Sequence, residues 1–520
     1  MSHLRYNLSM NTTNTGLFAA SEMGNKVDKQ EYEDAVTALR VELLNLQFDL
    51  QEADFSMIVV LAGNDRPGCA NTVRTLHEWM DARYIDTHIL FAHETEAEEE
   101  RPILWHYWRR LPPKGRIGLF LGAWPAFTVQ RAIARGASDL EIDGALDHVE
   151  RFESELTLDG TLLLKFWCHI PENVLGQRLK DSKKDSTGHW WLEERDWEIH
   201  NTFDEFMRVT ERTVRRTNTP DAPWSIVEST DHRYRNLTIG RHIAGALRDR
   251  LEAGKVAPKA TESYVAAVPD PNILDQIDLS ASVAPEDYKK ELKKLQARLN
   301  RLSRSMVEAG RACVMVFEGV DAAGKGGSIR RLTGAMPIQN VRVIPIAAPS
   351  DEELARHYLW RFWRHVPGAG KTVIFDRSWY GRVLVERVEG FATEPEWRRA
   401  YEEINDFESI LHESGIPVIK FWLQIDADEQ LRRFESRAET PYKKYKLTDE
   451  DYRNREKWDL YQEATHDMVT RTSTRYAPWN LVAANDKRHA RITVLRVVCE
   501  RLEKELKERK GKGKKSRKRR

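Results

Sequence analysis

Apolar residues recur at helical spacing between Glu31 and Gln51, at Tyr32, Leu39, Leu43, Leu46 and Leu50. The pattern returns 256 positions later, at Tyr288, Leu295, Leu299 and Leu302. Other stretches repeat at an offset of 255: Leu104–Pro112 with Leu359–Pro367, Lys165-Phe166-Trp167 with Lys420-Phe421-Trp422, and Ala222-Pro223-Trp224 with Ala477-Pro478-Trp479. Asp231 and Arg233 likewise match Asp486 and Arg488. The chain therefore reads as two copies of one domain of about 220 residues. In the second copy, short apolar runs predict strands at 312–318, 341–346, 372–376, 417–424 and 479–483. Helices are expected at 286–309, 325–334, 351–365, 395–414, 428–438, 449–471 and 487–509. Such alternation predicts an α/β fold, a mostly parallel sheet covered on both faces, with ligands beyond the carboxyl ends of its strands.

Composition narrows the class. The 520 residues are 41% hydrophobic and 31% charged, with 81 basic and 81 acidic side chains, and no apolar run has the length of a membrane span. Cys69, Cys168, Cys313 and Cys499 are widely spaced, which argues against a zinc site or a disulfide framework. With a polar N-terminus lacking a secretory pattern, a cytoplasmic protein without membrane or specific nucleic-acid partners is expected. Residues 1–29 read as disordered, 30–253 as the first copy, and 254–284, with Pro258, Pro269 and Pro271, as a linker. The second copy spans 285–505, and 506–520 reads as a disordered basic tail.

The chemistry gathers in the second copy. Gly319 and Gly324 bracket four residues before Lys325, the spacing of a Walker A loop, between an apolar strand and a helix. The stretch Gly319, Ala322, Ala323, Gly324, Gly326, Gly327 and Ser328 would cradle phosphate with backbone N–H groups, and Lys325 would add a full charge. Gly326 replaces the usual Ser or Thr after the lysine. Asp376 ends an apolar strand, the setting of a Walker B carboxylate, and Arg377 follows it. Asp321 lies inside the loop, where a carboxylate calls for an accompanying cation, so Asp321 and Asp376 are the candidate magnesium ligands. Arg432, Arg433, Arg437, Lys443, Lys444 and Lys446 form a basic helix and loop suited to a lid over anionic groups. Only one of Arg432 and Arg433 can face the site. Arg382 and Glu386 are weaker candidates.

With the Gly-Val-Asp-Ala-Ala-Gly-Lys-Gly-Gly loop, the Phe375-Asp376-Arg377-Ser378-Trp379-Tyr380 strand end and the basic lid in hand, the chain resembles the type-2 polyphosphate kinases. The likeness is to the fused two-domain kind, and it runs from about residue 30 to 505. It implies two tandem P-loop kinase-like α/β/α sandwiches with a helical lid, and transfer of a terminal phosphate from polyphosphate to AMP with Mg2+, giving ADP. It also implies catalysis by Asp321, Lys325, Asp376 and Arg377, and phosphate contacts from Arg433 and the lid lysines. The acceptor stays open at this point, because relatives use AMP, ADP or GDP. An ATP-dependent nucleotide kinase and a non-catalytic polyphosphate-binding regulator are the alternatives.

The first copy has lost these groups. Cys69 stands in the place of Lys325, and Phe120-Leu121-Gly122-Ala123-Trp124 replaces the Walker B segment. Arg131 takes the place of Glu386. Residues 30–253 are therefore expected to be non-catalytic, the built-in partner of a pseudo-dimer, and a homodimer of such chains is the assembly considered. Cys69 has no evident base nearby to make it a nucleophile.

Overall fold

The computed structural model describes residues 16–90, 100–184, 192, 194–254, 272–440 and 449–517. The chain divides into two compact units, Met1–His93 with Arg110–Ala257, and Glu94–Arg109 with Pro258–Arg520. In the first unit, β1 (Met57–Gly63), β2 (Ile85–Ile89), β3 (Ile117–Leu121), β4 (Leu162–His169) and β5 (Trp224–Glu228) form a sheet in the order β2-β3-β1-β4-β5. In the second, β6 (Cys313–Gly319), β7 (Val341–Pro345), β8 (Thr372–Asp376), β9 (Val418–Gln424) and β10 (Trp479–Ala483) repeat it as β10-β9-β6-β8-β7. Every pairing is parallel. Central β6 is buried from Cys313 to Glu318, as a strand covered on both faces must be. Among the described residues no helix is long and apolar enough to cross a membrane, and all four cysteines are buried free thiols.

The five expected strands all appear within a residue or two, and several other expectations need correction. The expected helix 351–365 is two short helices, Asp351–Leu354 and Trp360–Trp363. Buried His357 lies between them, its Nδ1 accepting the Leu359 N–H at 3.3 Å. Helix 449–471 breaks at Lys457 into Asp449–Glu456 and Trp458–Thr472. Residues 16–28 are packed, not disordered: Phe18 is buried against Trp167 and His169, and the Gly24 N–H donates to Glu228 Oε1 at 2.8 Å. These partners lie more than a hundred residues away, where no local pattern shows them. The end of the linker is also packed, with Leu274 buried and the Ile273 N–H donating to His466 Nδ1 at 3.2 Å. The final helix runs Lys487–Arg517, well into the basic tail, in keeping with the good helix propensity of Lys, Arg and Glu.

Candidate active site

The loop after β6 is shaped by two backbone demands. Gly319 has φ +146°, and a Cβ there would stand 2.5 Å from the Leu423 carbonyl oxygen, so the close approach to β9 requires glycine. Ala322 lies at φ +65° and Gly324 at φ +107°, which arches the chain into helix Lys325–Thr333. The Lys325 ammonium turns back over the arch and donates to the Gly319 carbonyl at 2.6 Å.

Neighbouring helices grip this arch. Gln430 Nε2 donates to the Asp321 carbonyl at 3.3 Å. Arg433 donates to the Ala322 and Ala323 carbonyls at 2.8 and 3.0 Å, and to those of Ala484 and Asn485 at 2.6 and 2.9 Å. Only 4% of Arg433 is exposed, and its Nε pairs with Glu429. The expectation that Arg433 contacts phosphate therefore needs correction: its donors go to carbonyls, and it braces the loop. Arg432 is the exposed member of the pair. Lys443, Lys444 and Lys446 lie outside the described residues.

The Asp321 carboxylate accepts from Arg377 Nη2 at 2.9 Å and from Asn454 Nδ2 at 2.9 Å. Burial would raise its pKa, but Lys325, Arg377 and Asn454 together outweigh burial and hold it below the ordinary carboxylate range. Arg377 sits at φ +63°, a position that strains any residue except glycine, with its N–H bonded to the Phe317 carbonyl at 3.0 Å. Asp376 pairs in register with Phe317, and a Cβ on Gly326 would stand 4.0 Å from Asp376 Oδ2, so this carboxylate faces the first turn of the phosphate helix. Lys325 is pushed down by burial, against the pull of Asp321, with Arg377, Asp376 and Glu318 also acting on it. Glu318, at the end of β6 before the loop, is buried, accepts from Ser378 Oγ at 2.8 Å, and is pushed up by burial.

A pocket opens beside the loop. Its charged end is Glu318, Asp321 and Arg377; Gln430 and Asn454 add amides; Leu384, Val385, Trp422, Trp458 and Tyr461 make an apolar, aromatic wall. Arg382 and Glu386 are outside this lining and pair with each other at 3.2 Å, with Arg382 stacked 4.5 Å over Tyr358. No group of three or more metal-ligating side chains occurs among the described residues. Two carboxylates at a phosphate loop are nonetheless a donor set that fits magnesium, which takes few protein ligands and shares substrate phosphates.

A model of the polyphosphate kinase 2 family matches residues 26–255 and again residues 282–510. The chain belongs to the polyphosphate kinase 2 family. It is 47% identical over 94% of its length to a polyphosphate:AMP phosphotransferase of Pseudomonas aeruginosa, covering 99% of that protein. A polyphosphate:AMP phosphotransferase of Pseudomonas syringae is 45% identical, with 94% of this chain and 98% of that protein covered. A crystal structure described as a Pseudomonas aeruginosa polyphosphate kinase 2 superposes with a TM-score of 0.85 at 45% identity, covering 94% of this chain and 99% of the other.

The first polyphosphate kinase 2 copy shows what became of its pocket. Helices Glu172–Lys184, Glu194–Asn201 and Phe203–Arg216 begin 255 positions before Ala427–Glu439, Asp449–Glu456 and Trp458–Thr472, so the copies align residue by residue. The places of Glu318, Gly381, Leu384, Gln430, Asn454 and Tyr461 are held by Ala62, Ala126, Val129, Leu175, Ile199 and Phe206. All six belong to one buried hydrophobic cluster, with Trp167 in the place of Trp422 and Phe18 from the N-terminal segment packed among them. What is a pocket in the second copy is a closed core in the first. Sequence reading missed Glu318, Gln430, Asn454 and Tyr461; comparing the copies for polar-to-apolar changes would have found them.

Proposed function

We propose that the second copy transfers the terminal phosphate of polyphosphate to AMP, giving ADP and a polyphosphate one unit shorter. An AMP phosphate oxygen attacks the terminal phosphorus, the bridging P–O bond breaks, and the departing chain keeps the bond's electron pair. The observation that carries the reading is the convergence of Lys325, Arg377, Asp321 and Asp376 on one phosphate loop beside a pocket with an aromatic wall. Backbone N–H groups of the arch and the ammonium of Lys325 would hold the transferring phosphate, and the exposed part of Arg377 would meet charge developing on it. Trp422, Trp458 and Tyr461 offer flat faces for the nucleotide base. Asp321 and Asp376 would hold Mg2+, which neutralises phosphate charge when bound. The first copy serves as a structural partner, and the buried free thiols support a cytoplasmic location.

ADP formation from AMP and polyphosphate, compared between wild type and Lys325→Ala, tests the site; full activity in the variant overturns it. AMP, GMP, ADP and GDP, each offered with polyphosphate or ATP, test the substrates. The proposal predicts AMP with polyphosphate as the preferred pair, and preference for ATP or for a diphosphate overturns it.

A further inference from the structure

Glu389 lies just past helix Val385–Val388, outside the pocket lining, with a side chain only 5% exposed. It accepts from Lys457 Nζ at 2.8 Å and lies 3.4 Å from Arg453 Nε. Its Oε1 is also 3.5 Å from the Tyr461 hydroxyl. These three partners straddle the break between helices Asp449–Glu456 and Trp458–Thr472, where Lys457 is the capping residue. The Tyr461 hydroxyl is in turn 3.2 Å from Asn454 Oδ1, and Asn454 Nδ2 donates to Asp321 at 2.9 Å. A continuous polar chain thus runs from Glu389, through the helix break, to the carboxylate inside the phosphate loop.

We propose that Glu389 is a positioning residue that latches the break so that Asn454 holds Asp321 in its working orientation. A buried carboxylate needs partners in any protein, so its ion pairs alone decide little. The twin copy supplies the second observation. There Ala134, Glu198, Ile199, Thr202 and Phe206 stand where Glu389, Arg453, Asn454, Lys457 and Tyr461 stand. All five residues leading to the loop carboxylate are gone from the copy whose pocket is closed, although the carboxylate itself persists as Asp65, and one cation has become an acid. By contrast, the buried pair Lys420–Glu408 has an intact counterpart in Lys165–Glu153, as an ion pair needed only for the fold would. Asn454 fixes one Asp321 oxygen while Arg377 takes the other, so a loosened break lets the carboxylate rotate toward Arg377.

The inference rests on the phosphotransfer reading, and wild-type ADP formation from AMP and polyphosphate is its baseline; an inactive wild type fails that reading rather than the latch. With an active wild type, Glu389→Ala and Lys457→Met are each expected to lower kcat/KM about tenfold, since small misplacements of reacting groups carry losses of this size. Glu389→Asp should recover part of the loss. Combining Glu389→Ala with Asn454→Ala should cost no more than the worse single change, because both break one chain. Lys457 is partly exposed, so its variant keeps the test open if the Glu389 variants fold poorly. Variants that lose thermal stability but keep wild-type kcat/KM, or a double variant whose loss is the product of the singles, would overturn the proposal.

Discussion

The two phosphate loops begin from the same strand end and the same glycine, Gly63 at φ +151° and Gly319 at φ +146°, and then part. In the second copy the chain arches through Ala322 and Gly324 before its helix starts at Lys325. In the first, the helix starts at Arg66, three positions before Cys69, so no arch is left to surround an anion. Asp65, the counterpart of Asp321, caps that helix through the Gly68 N–H at 3.0 Å and accepts from Arg178 at 2.7 Å and Ser229 at 2.5 Å. Arg178 is the counterpart of Arg433. The same arginine position thus pairs with the loop carboxylate in the first copy, where Arg235 also lies 3.6 Å from it, and in the second supports loop carbonyls and leaves the carboxylate to Arg377. Cys69 is fully buried, and contact with Cys168 together with burial pushes its thiol well above the ordinary range, which leaves no thiolate for chemistry.

What the copies share is equally instructive. Lys165 pairs with Glu153 and donates to the Thr217 carbonyl; Lys420 pairs with Glu408 and donates to that of Thr472. Trp124 and Trp379 each donate to the glutamate of their copy. These fully buried charges survive in both halves because removing one partner would strand the other in the core, at a cost of about 3–5 kcal/mol. Shared features mark architecture, and differing features mark chemistry.

The largest effect is expected at Asp376, whose counterpart is Leu121. Asp376→Asn should lower the rate of ADP formation about 10³-fold in steady-state assays, a loss comparable to removing a key transition-state contact. Next comes Arg377, whose counterpart Gly122 takes the same backbone conformation, φ +71° against +63°. Arg377→Gly should cost about 10²-fold in kcat. Its unfolding free energy should stay within about 1 kcal/mol of wild type, because relief of left-handed strain offsets the lost ion pair and the added chain entropy. A large stability loss in denaturant titration would assign Arg377 to the architecture instead. A subtler effect follows from Lys325. Its folded pKa is lowered, so its charge is lost as pH rises through a value below the ordinary lysine range. The alkaline limb of kcat/KM, which reports the free enzyme, should therefore fall earlier than a free lysine would allow, and Lys325→Arg should move that limb to higher pH. The smallest effect on turnover belongs to Phe18→Ala. It should destabilise the first unit by about 3 kcal/mol, seen as an earlier unfolding transition, with ADP formation unchanged below that transition.

The repeat, the five strands of the second copy in alternation with helices, and the phosphate loop were legible because each leaves a local or periodic mark. Lys325, Asp321 and Asp376 could be named from spacing alone. The bracing role of Arg433 could not, since its four carbonyl partners come from two loops far apart in sequence. Nor could the packing of Phe18, whose aromatic neighbours lie near residue 168. Glu318 was hidden for another reason: an acid within an apolar strand reads as a strand residue until it is set against Ala62 of the first copy, and its Ser378 bond and its place in the pocket then show its role.

The proposed division of labour gives the chemistry to the armed copy and none to its closed twin. Paired variants at one aligned position test it most directly, Lys325→Ala in the second copy and Cys69→Ala in the first, with ADP formation from AMP and polyphosphate as the readout. Turnover should be lost in Lys325→Ala and stay at the wild-type level in Cys69→Ala. Turnover that survives the first change, or disappears with the second in a folded protein, would contradict it.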